Sequence, residues 1–459
     1  MRQLRPVLPL LLPFALRAEQ PPRCTSIAYR PRIAPRPVFA LFAALILAAA
    51  GCDSGDGGDS KPPPPPRPIA ARDLVAHLSA LQRIADDNDG QRTAGTPGFA
   101  ASVDYVAGVL RRAGWRVRVQ QVPMAAWRER SPASVSVNGA PIPRTRFRVP
   151  SYSSAGRAGG TLHAVDDACQ AADFDGLGRG DVAFTGFGTC FLWRKTVNAR
   201  RAGAGALIVQ TAGSRRGVAS ATLAVPRLGL PVVLMSRDVA ARDGDRVRLS
   251  VNSATARGRT QNVIAELGPR SGRAVMAGAH LDSVSGGPGI NDNGSGVATL
   301  LEVARTFGPH PPGRVRLAFW GAEEEGLIGS RRYVRELPRD GLKQIAAYLN
   351  FDMVGSPNAV PAVYSDGDPR LGRLLRRLHP GPERGVLVGN RSDASAFEGN
   401  DIPINGLYSG ATERGPGGKP RDPCYHLPCD TLANVDRAVL LRMARAAALA
   451  LAELARQAK

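Results

Sequence analysis

Three short apolar runs, each closing on ionisable side chains, constrain this chain more than any other feature. Residues 275–282 (VMAGAHLD) have the pattern of a buried strand and deliver His280 at its carboxyl end. Residues 315–320 (VRLAFW) lead into GAEEEGLIGS, which places Glu323 and Glu324 at the strand exit, and residues 345–351 end in Asp352 of YLNFDMVG. Between the first two runs lies GINDNGSG, residues 289–296, a glycine-rich turn carrying Asp292; behind it Val297, Leu300, Leu301 and Ala304 repeat at helical spacing. Strands that alternate with helices predict an α/β fold with a mixed, mostly parallel central sheet flanked by helices, and the functional groups of such a sheet gather outside its strand carboxyl ends.

One more imidazole follows, His426 in PCYHLPCD at 423–430. Each fragment alone has an ordinary explanation. A histidine after a strand is commonly a hydrogen-bonded core residue, an adjacent glutamate pair suits a helix start, and DNG is a frequent turn. Taken together, His280, Asp292, Glu324, Asp352 and His426 are two imidazoles and three carboxylates, a borderline ligand set that zinc accepts, and one carboxylate has two oxygens with which to bridge a metal pair. Two divalent ions that share a water lower its pKa towards neutrality and polarise a scissile carbonyl. A carboxylate beside the metals but not bound to them must then move protons, and Glu323 stands next to Glu324. Asp282, two residues after His280, is placed to accept the other imidazole N–H and fix the ring.

This ordered set resembles metallopeptidase family 28, the co-catalytic zinc aminopeptidases secreted by bacteria, over roughly residues 72 to 459 with an insertion. The resemblance implies a zinc exopeptidase-like fold and two Zn2+ per chain, one on His280 and Asp352, the other on Glu324 and His426, with Asp292 bridging and Glu323 as general base. It also implies a cis peptide bond between Asp292 and Asn293, and a phenol at Tyr425 that donates to the developing oxyanion. Residues 389–407 (GNRSDASAFEGNDIPINGL) resemble the segment that lines the specificity pocket, which makes Arg391 the candidate substrate contact. Histidine is more usual in the family where Ala394 stands. The function implied is removal of N-terminal residues from peptides. A carboxypeptidase of the same family shares the metal centre, a glutaminyl cyclase would normally use one zinc, and a non-catalytic binding module would be expected to lose Glu323 or a ligand.

The 459 residues, 43% hydrophobic, suffice for one large domain and a smaller one. The net charge of +21 comes almost wholly from arginine, scattered through every segment, with no nucleic-acid-binding motif and only 5% aromatic residues, so peptides rather than nucleic acids are the expected partners. Residues 1–51 read as an export signal region: the 13-residue apolar stretch at 38–50 is too short to span a membrane. Small residues before Cys52 resemble a lipoprotein processing site, with cleavage at a nearby small residue without lipid as the alternative, and residues 52–71 form a Gly/Pro-rich tether to an envelope membrane. Cys169, Cys190, Cys424 and Cys429 are an even number suited to disulfides in an oxidising compartment. A bridge between Cys424 and Cys429 would pin the loop carrying Tyr425 and His426, the competing reading being a zinc–thiolate site. The catalytic domain is expected at 72–129 and 258–459. Residues 130–257 form a smaller β-rich insertion that resembles a protease-associated domain around Asp173, Phe174, Cys190, Phe191, Lys195, Asn198 and Ala199.

Overall fold

The computed structural model describes residues 68–458, apart from 212–216, 309–310, 380–384 and 386–391. The export region, Cys52, the tether up to residue 67 and Arg391 lie outside the described residues. Helices α1 (Ala71–Asp86) and α2 (Pro97–Arg112) open the fold, α2 started by the Thr96 hydroxyl, which accepts from the Phe99 N–H, and by Pro97 in its first turn. There follow β1 (Arg116–Val137), the two-residue strands β2 (Ala140–Pro141) and β3 (Phe147–Arg148), β4 (Gly156–Ala164), β5 (Val182–Gly186), α3 (Leu192–Arg201), β6 (Ala206–Thr211), β7 (Val232–Ser236) and β8 (Arg246–Leu267). The rest is β9 (Ala274–His280), α4 (Gly294–Phe307), β10 (Val315–Trp320), α5 (Ile328–Glu336), α6 (Arg339–Lys343), β11 (Ile345–Phe351), β12 (Ala362–Val363), α7 (Pro369–Leu378), β13 (Ile404–Tyr408) and α8 (Arg437–Gln457).

The sheet runs β12-β13-β11-β9-β10-β8-β4-β5-β6-β7-β3. It is parallel through β13, β11, β9 and β10, with β12 and β8 antiparallel on either side of these. Parallel strands are buried on both faces, and each of β9, β10 and β11 is a near-continuous apolar run. Alternation sorts their side chains: Val275, Ala277, Ala279, Leu317, Phe319 and Leu349 join α1, α2, α4 and α8 in the main core, while Met276, Ala318, Trp320 and Tyr348 pack with Tyr333 and Phe397 on the opposite face. Val439, Leu440, Met443 and Leu451 of α8 lie in that main core.

The expected boundaries at 129/130 and 257/258 fall within one structure. β1 and β8, 22 residues each, pair antiparallel along their length, with Glu129 opposite Ser253 and an irregularity in register between Glu129 and Ser134. The inserted unit therefore hangs on a continuous two-stranded ribbon. It is less purely β than its sequence suggests: β4, β5, β6 and β7 pair parallel, and the segment FLWRKTVNARR contains α3. Its sheet has an apolar core on each face, one holding Leu207, Val209, Val232 and Leu234, the other Ile208, Val233, Met235 and Leu249.

Candidate metal centre

Because β9, β10 and β11 are parallel neighbours, their carboxyl ends deliver His280, the Glu323–Glu324 pair and Asp352 to one place. Asp292 arrives on the turn before α4, where the Asn293 side chain accepts the Gly296 N–H and caps the helix. The Asp292–Asn293 peptide bond is cis. Three non-glycine residues at or beside candidate ligands hold left-handed backbone, Ala322 (φ +58°), Met353 (φ +51°) and His426 (φ +57°). Such conformations are uncommon away from glycine and cluster where surrounding structure enforces a functional geometry.

The five side chains converge in two overlapping trios that share Asp292. His280 Nε2 lies 3.1 Å from Asp292 Oδ1 and 3.3 Å from Asp352 Oδ1. His426 Nε2 lies 3.2 Å from Asp292 Oδ2 and 3.2 Å from Glu324 Oε2. In each trio, His280–Asp292–Asp352 and Asp292–Glu324–His426, the donor atoms lie within 4.8 Å of one another. His280, Glu323 and Glu324 form a third set by the same measure, so distance alone does not separate a base from a ligand here.

The donor set fits cations. His280 Nδ1 is 3.1 Å from the Asp282 carbonyl and His426 Nδ1 is 2.9 Å from the Ser220 carbonyl. A carbonyl only accepts, so Nδ1 carries the proton in both rings and, in the neutral imidazoles, each Nε2 lone pair faces carboxylate oxygens. Acceptor against acceptor is tolerated only with a proton or a metal cation between them. Glu324 Oε1 and Asp352 Oδ1 are moreover buried with no hydrogen-bond donor among the described residues. The charge balance agrees. Burial would lower the His280 pKa, but the charges of Asp352 and Glu323 and the contacts to Asp292 and Asp352 raise it well above its ordinary value. His426 behaves alike, through Glu324 and Asp292. Burial raises Glu323 well above the ordinary carboxylate range, against the pull of His280 and helped by Glu324, Asp393 and Asp352. Divalent cations at the same point would invert that logic.

The surroundings correct one expectation. The carboxylate of Asp282 does not hydrogen-bond the His280 ring, its nearer oxygen lying 3.8 Å away; it accepts the N–H groups of Glu323 (3.1 Å) and Glu324 (3.2 Å). The ring is held by the Asp282 backbone carbonyl instead. The side chain thus fixes the glutamate pair, since a buried carboxylate at a turn seeks free backbone donors. Burial, opposed by the His280 charge, raises Asp282 to about 6.

Several supporting residues carried no signal strong enough to be singled out in the sequence. Asp430, at the end of PCYHLPCD, accepts the N–H groups of Asn291 (2.9 Å) and Asp292 (3.0 Å), and Asn434 joins it to Asp422, which also binds Asn291. Arg92 is fully buried against the single connection from β9 to α4, which follows His280 and carries Asp292; its guanidinium donates to the carbonyls of Pro288 (2.9 Å), Gly289 (2.7 Å) and Leu281. Gly289 (φ +62°) has left-handed backbone, and a Cβ there would collide with the Asp292 carbonyl. A buried relay reaches Asp352 from the other side: Trp320 Nε1 donates to Tyr348, Tyr348 to Asn350, Asn350 to Ser392, and the Ser392 hydroxyl to Asp352 Oδ2 at 2.8 Å. Gly278 makes room for it, because a Cβ there would strike the Tyr348 hydroxyl.

The described part of 389–407 is thus structural support: Ser392 orients Asp352, Ala394 is buried, and Phe397 stacks on Tyr348 at 4.0 Å. Tyr425 is half-buried and stacks on His426, ring centroids 3.8 Å apart, its phenol pKa raised well above the usual value by burial and by Asp292 and Glu324. Disulfides join Cys424 to Cys429 and Cys169 to Cys190, so the thiols are not metal ligands.

Residues 262–451 match the sequence profile of peptidase family M28. Over 426 residues the chain is 37% identical to an aminopeptidase of Pseudomonas aeruginosa, spanning 82% of this chain and 79% of that one. The chain belongs to peptidase family M28. This M28 chain is also 36% identical over 408 residues to the probable lipoprotein aminopeptidase LpqL of Mycobacterium tuberculosis, covering 80% of this chain and 81% of the relative. Among solved structures, it is similar to BSAP, a zinc aminopeptidase from Bacillus subtilis, with a TM-score of 0.71 and 25% identity over 85% of this chain and 97% of that one. An aminopeptidase from Aneurinibacillus sp. strain AM-1 gives a TM-score of 0.68 at 25% identity, covering 84% and 94%.

Proposed function

We propose that this M28 chain is an exported aminopeptidase that removes N-terminal residues from peptides using two zinc ions, one held by His280 and Asp352, the other by Glu324 and His426, with Asp292 shared. The observation that carries the reading is Asp292 itself, whose two oxygens face two different imidazole Nε2 atoms at 3.1 and 3.2 Å. The names of the Pseudomonas and Bacillus relatives support aminopeptidase activity and zinc, and the Mycobacterium relative's name, a probable lipoprotein, supports export; Cys52 is the residue that would carry the lipid.

Zinc, when bound, supplies a Lewis acid that lowers the pKa of water and polarises the scissile carbonyl. The rest falls to side chains. Glu323 takes the proton of the attacking water on its carboxylate and returns a proton to the leaving amine, which needs a group beside the ligands but free of them. Asp282 prepares this division by gripping both glutamate N–H groups, which fixes the backbone from which the two side chains leave. His280 and His426 stay neutral, each Nδ1–H spent on a backbone carbonyl. Tyr425, stacked on His426, donates its phenolic proton towards the oxygen that becomes negative. The inserted unit is read as a protease-associated domain.

Hydrolysis of leucyl anilide by purified protein, compared with carboxyl-terminal substrates and with and without chelator, tests the reading. Activity on the anilide that disappears with chelator and returns with zinc is expected, with close to two zinc ions per chain. One ion per chain, together with full activity in Asp292→Ala, would refute the shared-ligand arrangement.

A further inference from the structure

The inserted unit reaches the metal centre itself. Its segment 218–224 passes behind His426: the Ser220 carbonyl takes the His426 Nδ1–H at 2.9 Å, and the Ser220 N–H donates to the His426 carbonyl at 3.0 Å. The Ser220 hydroxyl donates to the Ser285 carbonyl at 2.8 Å, tying the same segment to the loop beyond His280. Two anchors hold it. On one side Ser151 exchanges backbone hydrogen bonds with Ala221 and Leu223, both 3.0 Å. On the other is Glu325, directly after the glutamate pair and 7% exposed, which accepts from Ser151 Oγ (3.0 Å) and Thr222 Oγ1 (3.4 Å). Arg148 of β3 adds a strut, donating to the Val218 carbonyl (3.1 Å) and the Ser285 carbonyl (3.2 Å). The general base and the ligands make no use of Glu325, yet a buried carboxylate here has its hydrogen-bond donors in the inserted unit.

We infer that segment 218–224 is a positioning element of the metal centre: Ser220 fixes the His426 ring so that Nε2 faces Asp292 and Glu324, and Glu325 locks the segment in place. This rests on the two-metal reading. The consequence is asymmetric, because His280 is oriented by the Asp282 carbonyl two residues along its own segment whereas His426 sits on a loop in left-handed backbone and takes its ring orientation from the insertion. The inserted unit thereby orients the histidine of one metal position and not that of the other. Ser220, Ser151, Thr222 and Glu325 act through His426.

The test removes the side-chain anchors from the inserted side, in the triple variant Ser151→Ala, Ser220→Ala, Thr222→Val of the full chain, and titrates the metal-free protein with zinc. One zinc affinity is expected to stay at the parent value and the other to weaken about 10- to 100-fold, the usual consequence of losing support behind a ligand. Two unchanged affinities overturn the inference, and so do two equally weakened ones accompanied by a lower unfolding midpoint, which mean general loosening. A parent protein that binds fewer than two ions refutes the two-metal reading instead. Independently of metal, the His426 Nδ1–H of the parent is expected as a slowly exchanging, downfield proton resonance with and without zinc. A ring proton in the parent that exchanges as fast as an exposed one also overturns the inference.

Discussion

Arg92→Lys tests most directly what shapes the loop between His280 and Asp292. The guanidinium is fully buried and donates to three carbonyls, Leu281, Pro288 and Gly289, spread along the one connection that runs from His280 at the end of β9 to Asp292 before α4. Burial lowers its pKa to about 10, with Asp282, Asp430, Asp292 and Glu324 pulling it back up, so it remains charged at neutral pH. Lysine keeps the charge but offers one compact ammonium at the end of a stem, without the planar fork that spans separated acceptors. If it reaches one of the three carbonyls, two hydrogen bonds from a charged donor are lost, at about 1.5–3 kcal/mol each, or about 3–6 kcal/mol in all. Part of that appears as stability and part as metal affinity, since the loop that loosens is the one that places Asp292 relative to His280. Urea unfolding of the metal-free proteins measures the first, and zinc titration the second. A lysine variant within about 0.5 kcal/mol of the parent, with unaltered zinc binding, would show that packing around Arg92 and not its bonds holds the loop, and the reasoning would fail.

Three further outcomes are expected. Glu323→Gln keeps size but cannot accept a proton, so it should retain its zinc while kcat falls about 10²- to 10⁴-fold; Glu324→Gln should instead lose zinc, with activity partly restored by excess metal, and metal analysis beside kinetics would expose reversed roles. Asp430→Asn replaces one of the oxygens that grip the Asn291 and Asp292 N–H groups, so zinc affinity should drop about 10- to 100-fold while the fold persists, as circular dichroism and zinc titration would check. Serine at both Cys424 and Cys429 should lower activity before it lowers the unfolding midpoint, because a loop closed over a sequence separation of 5 restricts the unfolded chain little and acts by placing Tyr425 and His426. Equal losses of activity and stability would contradict that.

The ligand side chains were legible for a definite reason. A parallel strand is an apolar run, its end is where the apolar run stops, and an imidazole or carboxylate at that point is conspicuous at His280, Glu323, Glu324 and Asp352. The helical repeat behind Asp292 and the apolar terminal helix are equally local signals. Arg92 shows the opposite case. It is one of many arginines, its partners are backbone carbonyls nearly two hundred residues away, and a carbonyl leaves no trace in a sequence. Asp282 shows a third. Its position beside His280 was visible, but which donors its carboxylate meets depended on where the β10 exit turned, and they proved to be the N–H groups of the glutamates.

By itself, then, the sequence determined the α/β alternation and the order of strand-end ligands, because hydrophobic periodicity and ligand chemistry are properties of neighbouring residues. Only the tertiary structure decided that the insertion is carried on a continuous ribbon of β1 and β8 and that its Ser220 carbonyl orients His426. The ribbon is built of backbone hydrogen bonds, and the His426 ring donates to a backbone carbonyl 206 positions away. Every residue except proline carries the same donor and acceptor pair, so which of them meet is fixed by packing and not by residue type.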